Sequence, residues 1–394
     1  MDEIPETYLD IMDRPIFREN PMFRTGSDIH LNACVGYNGF PSIHTYQLGY
    51  HQAVVSLIET AKEDSWDSDS LIYPILFCAR HAIELFLKKQ IYVLSDVKAI
   101  TMNRESENML LTEHSLDSLW QNFKELSKID KRYDSFVNEL EPYIEYFCDV
   151  DDTGQTFRYP LDIDGERHLT EFGCINIGIF SDKYESMYEI IEEVVLLTDY
   201  IKTEYKQGTF IKGLSREQLF DIAHMLPDRD DWVTDDFSKA KKEICAKNCI
   251  GSRTFSRALD LIQKHREFAS YIGMELPLSE ITSDELKIFI RLFNKHRKRF
   301  GTDDYIDVIN DFPNEVCENL SKDNIYALSA LFDISFFDLF SEEYDSDIEK
   351  NRKRDDAFGI VFDNIAVRRG TVLKHIQNGL SKLGQKTLLK VFDE

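Results

Sequence analysis

Residues 71–91, LIYPILFCARHAIELFLKKQI, form the longest apolar stretch of this 394-residue chain, and they carry Arg80, Glu84 and Lys88 at intervals of four. On a helix of about 3.6 residues per turn these charges make one slowly drifting row. A solvated face would leave that row without apolar company. Here Leu76, Phe77, Leu87 and Ile91 fall on the same side, and Ile75, Cys78, Ala82, Leu85 and Phe86 cover the rest. A helix apolar on every face is a buried helix, so Arg80 and Glu84 are desolvated and must be paired and hydrogen-bonded. Such a pair is either part of a site or a structural device. Pro74 suits a helix's first turn, where its missing N–H has no partner to lose, and the helix is expected to run to about Val93.

A chain of this length is longer than one core usually serves, so two domains are expected, and 43% hydrophobic with 12% aromatic residues can fill both. The net charge of −25 opposes generic binding to nucleic acid or anionic membrane. Any polyanion contact must be local. Residues 364–391, with Arg368, Arg369, Lys374, Lys382, Lys386 and Lys390 and no Asp or Glu, are one candidate, or else the solvated face of a terminal helix. Seven scattered cysteines suggest no disulfide framework. The acidic start MDEIPETYLDIMD is unlike a signal peptide, and no uninterrupted run approaches about 18 apolar residues, so no membrane association and a cytoplasmic location are expected.

Residues 1–41, rich in Pro and Gly, are expected to form an irregular arm. A first helical domain spans 42–206. In it Ile43, Tyr46, Tyr50, Val54, Leu57 and Ile58 recur at three and four, Ser115 caps a helix with a Leu116, Leu119, Trp120, Phe123 stripe, and further helices are expected over 133–147 and 183–205. Between those two, 149–173 breaks the rhythm: residues 157–162, FRYPLD, look extended, and Asp164-Gly165 is a turn signal, giving a small extended or β insertion. Residues 207–213, QGTFIKG, read as a linker. Residues 214–394 read as a second, all-helical domain, with helices at 215, 235–247, 252–272, 283–300, 321–332 and 369–380. The fold class is mainly α.

No GxxxxGK[ST], GxGxxG, GxSxG or HExxH occurs, so no cofactor is implied. Asp149, Asp151, Thr153 and Gly154 imitate a calcium loop, but Pro160 stands where the closing carboxylate belongs. Cys245 and Cys249 have no second pair at zinc spacing. No metal is expected.

The string ARHAIELFLKKQI, followed after a variable loop by HSLDSLW at 114–120, resembles the HEPN superfamily of helical bundles, over residues 42–205 at most. The wider pattern, with FRYPLD, is similar to a group of bacterial proteins without an assigned function. Many HEPN proteins are metal-independent endoribonucleases of toxin–antitoxin, phage-defence and CRISPR systems, marked by Arg-x4–6-His. In that chemistry a His moves the 2′-OH proton and an Arg stabilises phosphorane charge. Here His81 directly follows Arg80, and Arg158 precedes His168 by ten, so the mark is missing where the likeness lies. The spacing occurs at Arg24/His30, Arg291/His296 and Arg369/His375, against roughly 1.5 chance matches for this composition.

A site in the first domain would combine Arg80, His114 and Arg158 as catalytic groups with Glu84, Tyr159 and Lys88 as substrate contacts. Arg158 would bind a phosphate or pair with Glu84, and His114 would be a general base or an outside cap. The resemblance implies a defence or toxin-type effector that binds RNA or nucleotide and acts as an endoribonuclease, commonly with a site across a homodimer. The acidic surface points instead to an inert scaffold for a partner protein. A nucleotide-sensing module is the third reading. A cleft holding Arg80, His114 and Arg158 would favour ligand binding, and a closed salt-bridged core would favour the scaffold.

Overall fold

The computed structural model describes residues 22–63, 65–105, 112–297, 305–366 and 371–393. Among the described residues there are sixteen α-helices and no β-strand, and pairing between extended residues is limited to two isolated bridges, Leu161 with Arg167 and Ile211 with Leu214. The protein is mainly α, as the hydrophobic periodicities require. Its chain divides into two compact units, 1–99 with 105–199, and 100–104 with 200–394.

The first unit is built from α1 (Ile43–Glu63), α2 (Ser68–Thr101), α3 (Leu116–Ser127), α4 (Asp134–Asp151) and α5 (Ile177–Lys206), the last continuing into the second unit. The charged apolar stretch is the middle of α2, whose Ile75, Ala79, Ile83, Phe86, Leu87 and Ile91 are all buried. Pro74 lies inside this helix instead of in its first turn, because the helix begins at Ser68. It forgoes one backbone hydrogen bond there. At the other end the helix runs past Val93 to Thr101, since Leu94, Val97 and Ala99 keep burying the same way. By length and composition α2 is able to cross a membrane, yet half of its most apolar window is buried within the protein. Averaged hydropathy passes a test that uninterrupted apolar runs do not.

Aromatic contacts hold α2 to its neighbours. Phe86 meets Phe123 of α3 at 6.2 Å, and Tyr50 of α1 meets Phe77 at 6.4 Å. His51 of α1 stacks on Tyr188 of α5 at 3.4 Å between ring centroids. Ser115 caps α3 as its sequence position suggests, accepting from the Ser118 N–H.

In 149–173, where an extended insertion is expected, the helix α4 runs on to Asp151, and from 152 to 176 the chain forms turns and a loop. The bridge between Leu161 and Arg167 closes a turn in which Asp162 accepts the backbone N–H groups of Asp164 and Glu166, both at 2.9 Å, and Gly165 takes φ +84°. A side chain thus supplies acceptors that a partner strand would supply in a sheet. Of the N-terminal arm, residues 1–21 lie outside the described residues; 22–41 contain two 3-10 turns and expose Met22, Phe23 and Leu31.

Residues 207–213 lie wholly in the second unit, where Gly208 adopts positive φ ahead of the Ile211–Leu214 bridge and Gly213 does so within the turn that the bridge closes. The helices that follow are α6 (Arg216–Met225), α7 (Asp235–Asn248), α8 (Ser252–Ile262), α9 (Arg266–Tyr271), α10 (Ser283–Arg297), α11 (Tyr305–Asn319), α12 (Lys322–Phe336), α13 (Glu343–Arg354), α14 (Ala357–Ile360), α15 (Val372–Lys382) and α16 (Lys386–Leu389). The single helix expected over 252–272 is two, because His265 breaks it and its ring caps α9 by accepting from the Phe268 N–H. Ser215 and Ser321 form capping boxes with Gln218 and Asn324. One apolar core gathers Leu219, Phe255 and Phe268, and a larger one gathers Phe289, Phe312, Phe332 and Ile376. α12 is buried on nearly every face. α15 approaches it so closely that a Cβ on Gly379 would overlap the Leu331 carbonyl. Lys382 pairs with Asp338 at 3.2 Å, and Arg368 and Arg369 lie outside the described residues.

Candidate functional site

Arg80 is the hub of the first unit. Its residue is 2% exposed, and each of its three guanidinium nitrogens donates a hydrogen bond. Nε donates to the Asp151 carbonyl at 2.8 Å, Nη1 to Glu84 Oε2 at 2.7 Å, and Nη2 to the carbonyls of His114 at 2.6 Å and Asp152 at 2.7 Å. Three of its four acceptors are backbone oxygens, at the end of α4 and just before α3. These are places where helix-end carbonyls and loop carbonyls lack helical partners. The Asp152 carboxylate adds a second tie, accepting Ser115 Oγ–H at 3.1 Å and the Asp117 N–H at 2.8 Å. Asp151 Oδ1 accepts the N–H groups of Gln155 and Thr156 at 2.8 and 3.1 Å, closing the turn that follows. The Asp-rich stretch that imitates a calcium loop therefore spends these two carboxylates on turn and helix-start amides. Gly154 completes the pocket around Arg80. Its φ is +80°, and a Cβ there would lie 2.8 Å from Nη1.

Glu84, 3% exposed, divides its oxygens. Oε2 takes Arg80, while Oε1 takes Lys88 Nζ at 2.7 Å and His114 Nδ1 at 2.9 Å. His81 Nδ1 approaches Oε2 at 3.8 Å, beyond hydrogen-bond length. Burial pushes the Glu84 carboxyl up, but His81, Lys88, Arg80 and His114 outweigh it and hold it well below the usual carboxylate range. Glu84 is therefore ionised. An ionised carboxylate only accepts, so His114 Nδ1 is the donor of this bond and Nε2 is the ring nitrogen not committed to Glu84. The imidazole is the open member of the cluster, its side chain 69% exposed.

The remaining expected residues sit nearby on the surface. Arg158 is exposed; its guanidinium lies 5.8 Å from the Phe77 ring centre and 5.6 Å from that of Tyr159, which is 52% exposed. Phe77 stacks on His81 at 5.9 Å, and Tyr50 meets His81 at 4.4 Å. A continuous line of contacts thus runs from Tyr159 through Arg158, Phe77 and His81 to Glu84 and His114. The ion pair of Arg158 with Glu84 weighed from the sequence is not formed, because Arg80 and Lys88 of the same helix already fill the carboxylate. Lys88 is 8% exposed and belongs to the buried network.

Elsewhere, His296 is 1% exposed and bonded to Glu315 at 3.1 Å, while Arg291 of the same Arg-x4-His spacing is exposed on another face. The spacing does not make a pair. Among the described residues no group of three or more His, Cys, Asp or Glu is placed to hold a metal. Sequence reasoning missed Asp151, Asp152 and Gly154 as the frame of the cluster; the Asp-Asp-Thr-Gly run was their only signal.

No family model, curated protein or solved structure matches this chain.

Proposed function

We propose that the first unit is an HEPN-like bundle of a bacterial defence or toxin-type effector, and that it binds RNA or a nucleotide on the face carrying His114, His81, Arg158 and Tyr159. The observation that carries this reading is the Glu84–His114 pair, which aims a basic ring nitrogen at solvent from a rigid, buried anchor. On RNA, His114 Nε2 takes the 2′-hydroxyl proton and the 2′-oxygen attacks phosphorus. The 5′-oxygen leaves with a proton from water, and a 2′,3′-cyclic phosphate results. Arg158, with no carboxylate partner among the described residues, supplies the cation for the phosphate, and Tyr159 and Phe77 offer rings on which a base stacks. Arg80 spends four of its five N–H groups within the fold and acts as a positioning residue. Independence from metal is what the HEPN resemblance implies.

The commitment of Arg80 to acceptors inside the fold favours a second reading, an inert scaffold for a partner protein in which the network only holds three helices together. Incubating total RNA and purified tRNA with wild type, His114→Ala and Arg158→Ala in EDTA separates the two. Cleavage by wild type that is lost in both folded variants supports the nuclease. No cleavage by wild type, with no retention on RNA, moves the assignment to the scaffold.

A further inference from the structure

The first unit contains a cavity of about 210 Å³ that the network above does not use. It lies among α2, α4, the 152–176 loop and α5, and its walls are almost wholly carbon. Phe147 and Phe180 stand edge to face at 6.3 Å, and Phe180 stacks with Tyr184 at 5.7 Å and 19°. Tyr184 directs its hydroxyl to His51 Nδ1 at 3.2 Å, so it gives the cavity its ring and not its polar end. Rings set at right angles make a slot for another flat ring. Cavities of this kind weaken a fold in proportion to their volume, and an engineered one of about 150 Å³ accepts benzene. A space larger than that, left open to solvent on one side, is suited to a molecule that fills it.

The lining contains one formal charge, Lys183 on α5. It is exposed and has no carboxylate partner among the described residues, although acidic residues outnumber basic ones 71 to 46 in the chain. An ammonium left unpaired at the edge of an apolar slot complements an anion attached to an apolar body. Nucleobases carry donors and acceptors around their edges and would leave them unsatisfied against these walls.

We propose that this cavity binds a small aromatic monocarboxylate, its ring between Phe147, Phe180 and Tyr184 and its carboxylate on Lys183. The proposal does not rest on the reading of His114, since Arg80, Glu84, Lys88 and His114 do not line this cavity.

Calorimetric titration of the whole protein with 1-naphthoate and with uncharged 1-naphthol tests it. One molecule of 1-naphthoate per chain is expected, with affinity reduced about tenfold in Lys183→Gln while 1-naphthol binding stays unchanged. Ile175→Trp, which fills the slot from the loop, is expected to abolish both. Binding of both probes to folded Ile175→Trp, equal loss of both in Lys183→Gln, or no saturable binding by wild type would overturn the proposal. Tighter binding of octanoate than of 1-naphthoate would overturn the aromatic assignment and leave a fatty-acid site in its place.

Discussion

Arg80 holds His114 by its backbone carbonyl, at 2.6 Å, and not by its imidazole. The ring is left to Glu84. One residue is therefore fixed twice by the same buried pair: its main chain by the guanidinium and its side chain by the carboxylate. The two halves of this arrangement separate under mutation.

Arg80→Ala leaves three backbone carbonyls without their donor and Glu84 with only Lys88 and His114. A loss of about 3–5 kcal/mol in folding free energy is expected, measured by urea denaturation. Arg80→Lys is expected to recover little of it, because a single ammonium cannot span acceptors on two chain segments. His114→Ala, at an exposed ring, is expected to change stability by less than about 1 kcal/mol.

Gly154→Ala tests the turn that faces Arg80. The substitution combines a left-handed backbone with a Cβ 2.8 Å from Nη1. About 1–3 kcal/mol of destabilisation is expected from the backbone alone. Gly165→Ala, at similar φ but with no atom within 4 Å, isolates that backbone share.

Acid should dissolve the contribution of Glu84 selectively. Its carboxyl is held below its ordinary value of 4.5 in the folded protein, so the unfolded chain takes up the proton first. Stability from this group is complete above the unfolded value and falls as pH drops through it toward the folded value. Glu342 in the second unit behaves alike: burial raises it, but His265 and Arg216 hold it low. The difference between wild type and Glu84→Gln isolates the first unit. It is expected to be constant above about pH 5.5 and to shrink progressively below about pH 4.5; a difference independent of pH would contradict the depressed carboxyl.

In the second unit, Gly379→Ala sets a methyl group against the Leu331 carbonyl. Separating α15 from α12 is expected to cost about 1–3 kcal/mol, visible as a lowered thermal midpoint. Gly26→Ala, with open space around it, is the control.

Burial of α2 and the pairing of Arg80 with Glu84 follow from a charge row surrounded by apolar residues, and the caps at Ser115 and Ser215 follow from residue type and position. These are local signals. The acceptors of Arg80 were illegible because carbonyl oxygens occur at every residue and carry no identity in the sequence. Arg158 lay one chain reversal away from Glu84, a distance that periodicity cannot measure. The break at His265 was hidden for a related reason: a ring that accepts from a nearby amide leaves the apolar spacing of α8 and α9 intact. The extent of α2 beyond Val93 was decided by packing against residues distant in the chain.

The backbone character of Arg80's acceptors has a consequence for how this protein varies. A salt bridge between side chains has two places to change, and a loss on one side has a reciprocal remedy on the other. Three of Arg80's four bonds have no such second place: no substitution at 114, 151 or 152 removes the oxygen, and none at those positions restores a bond once the arginine is gone. A selection for suppressors of Arg80→Ala should therefore return revertants and general stabilisers scattered through the unit, and few replacements among the residues that Arg80 touches.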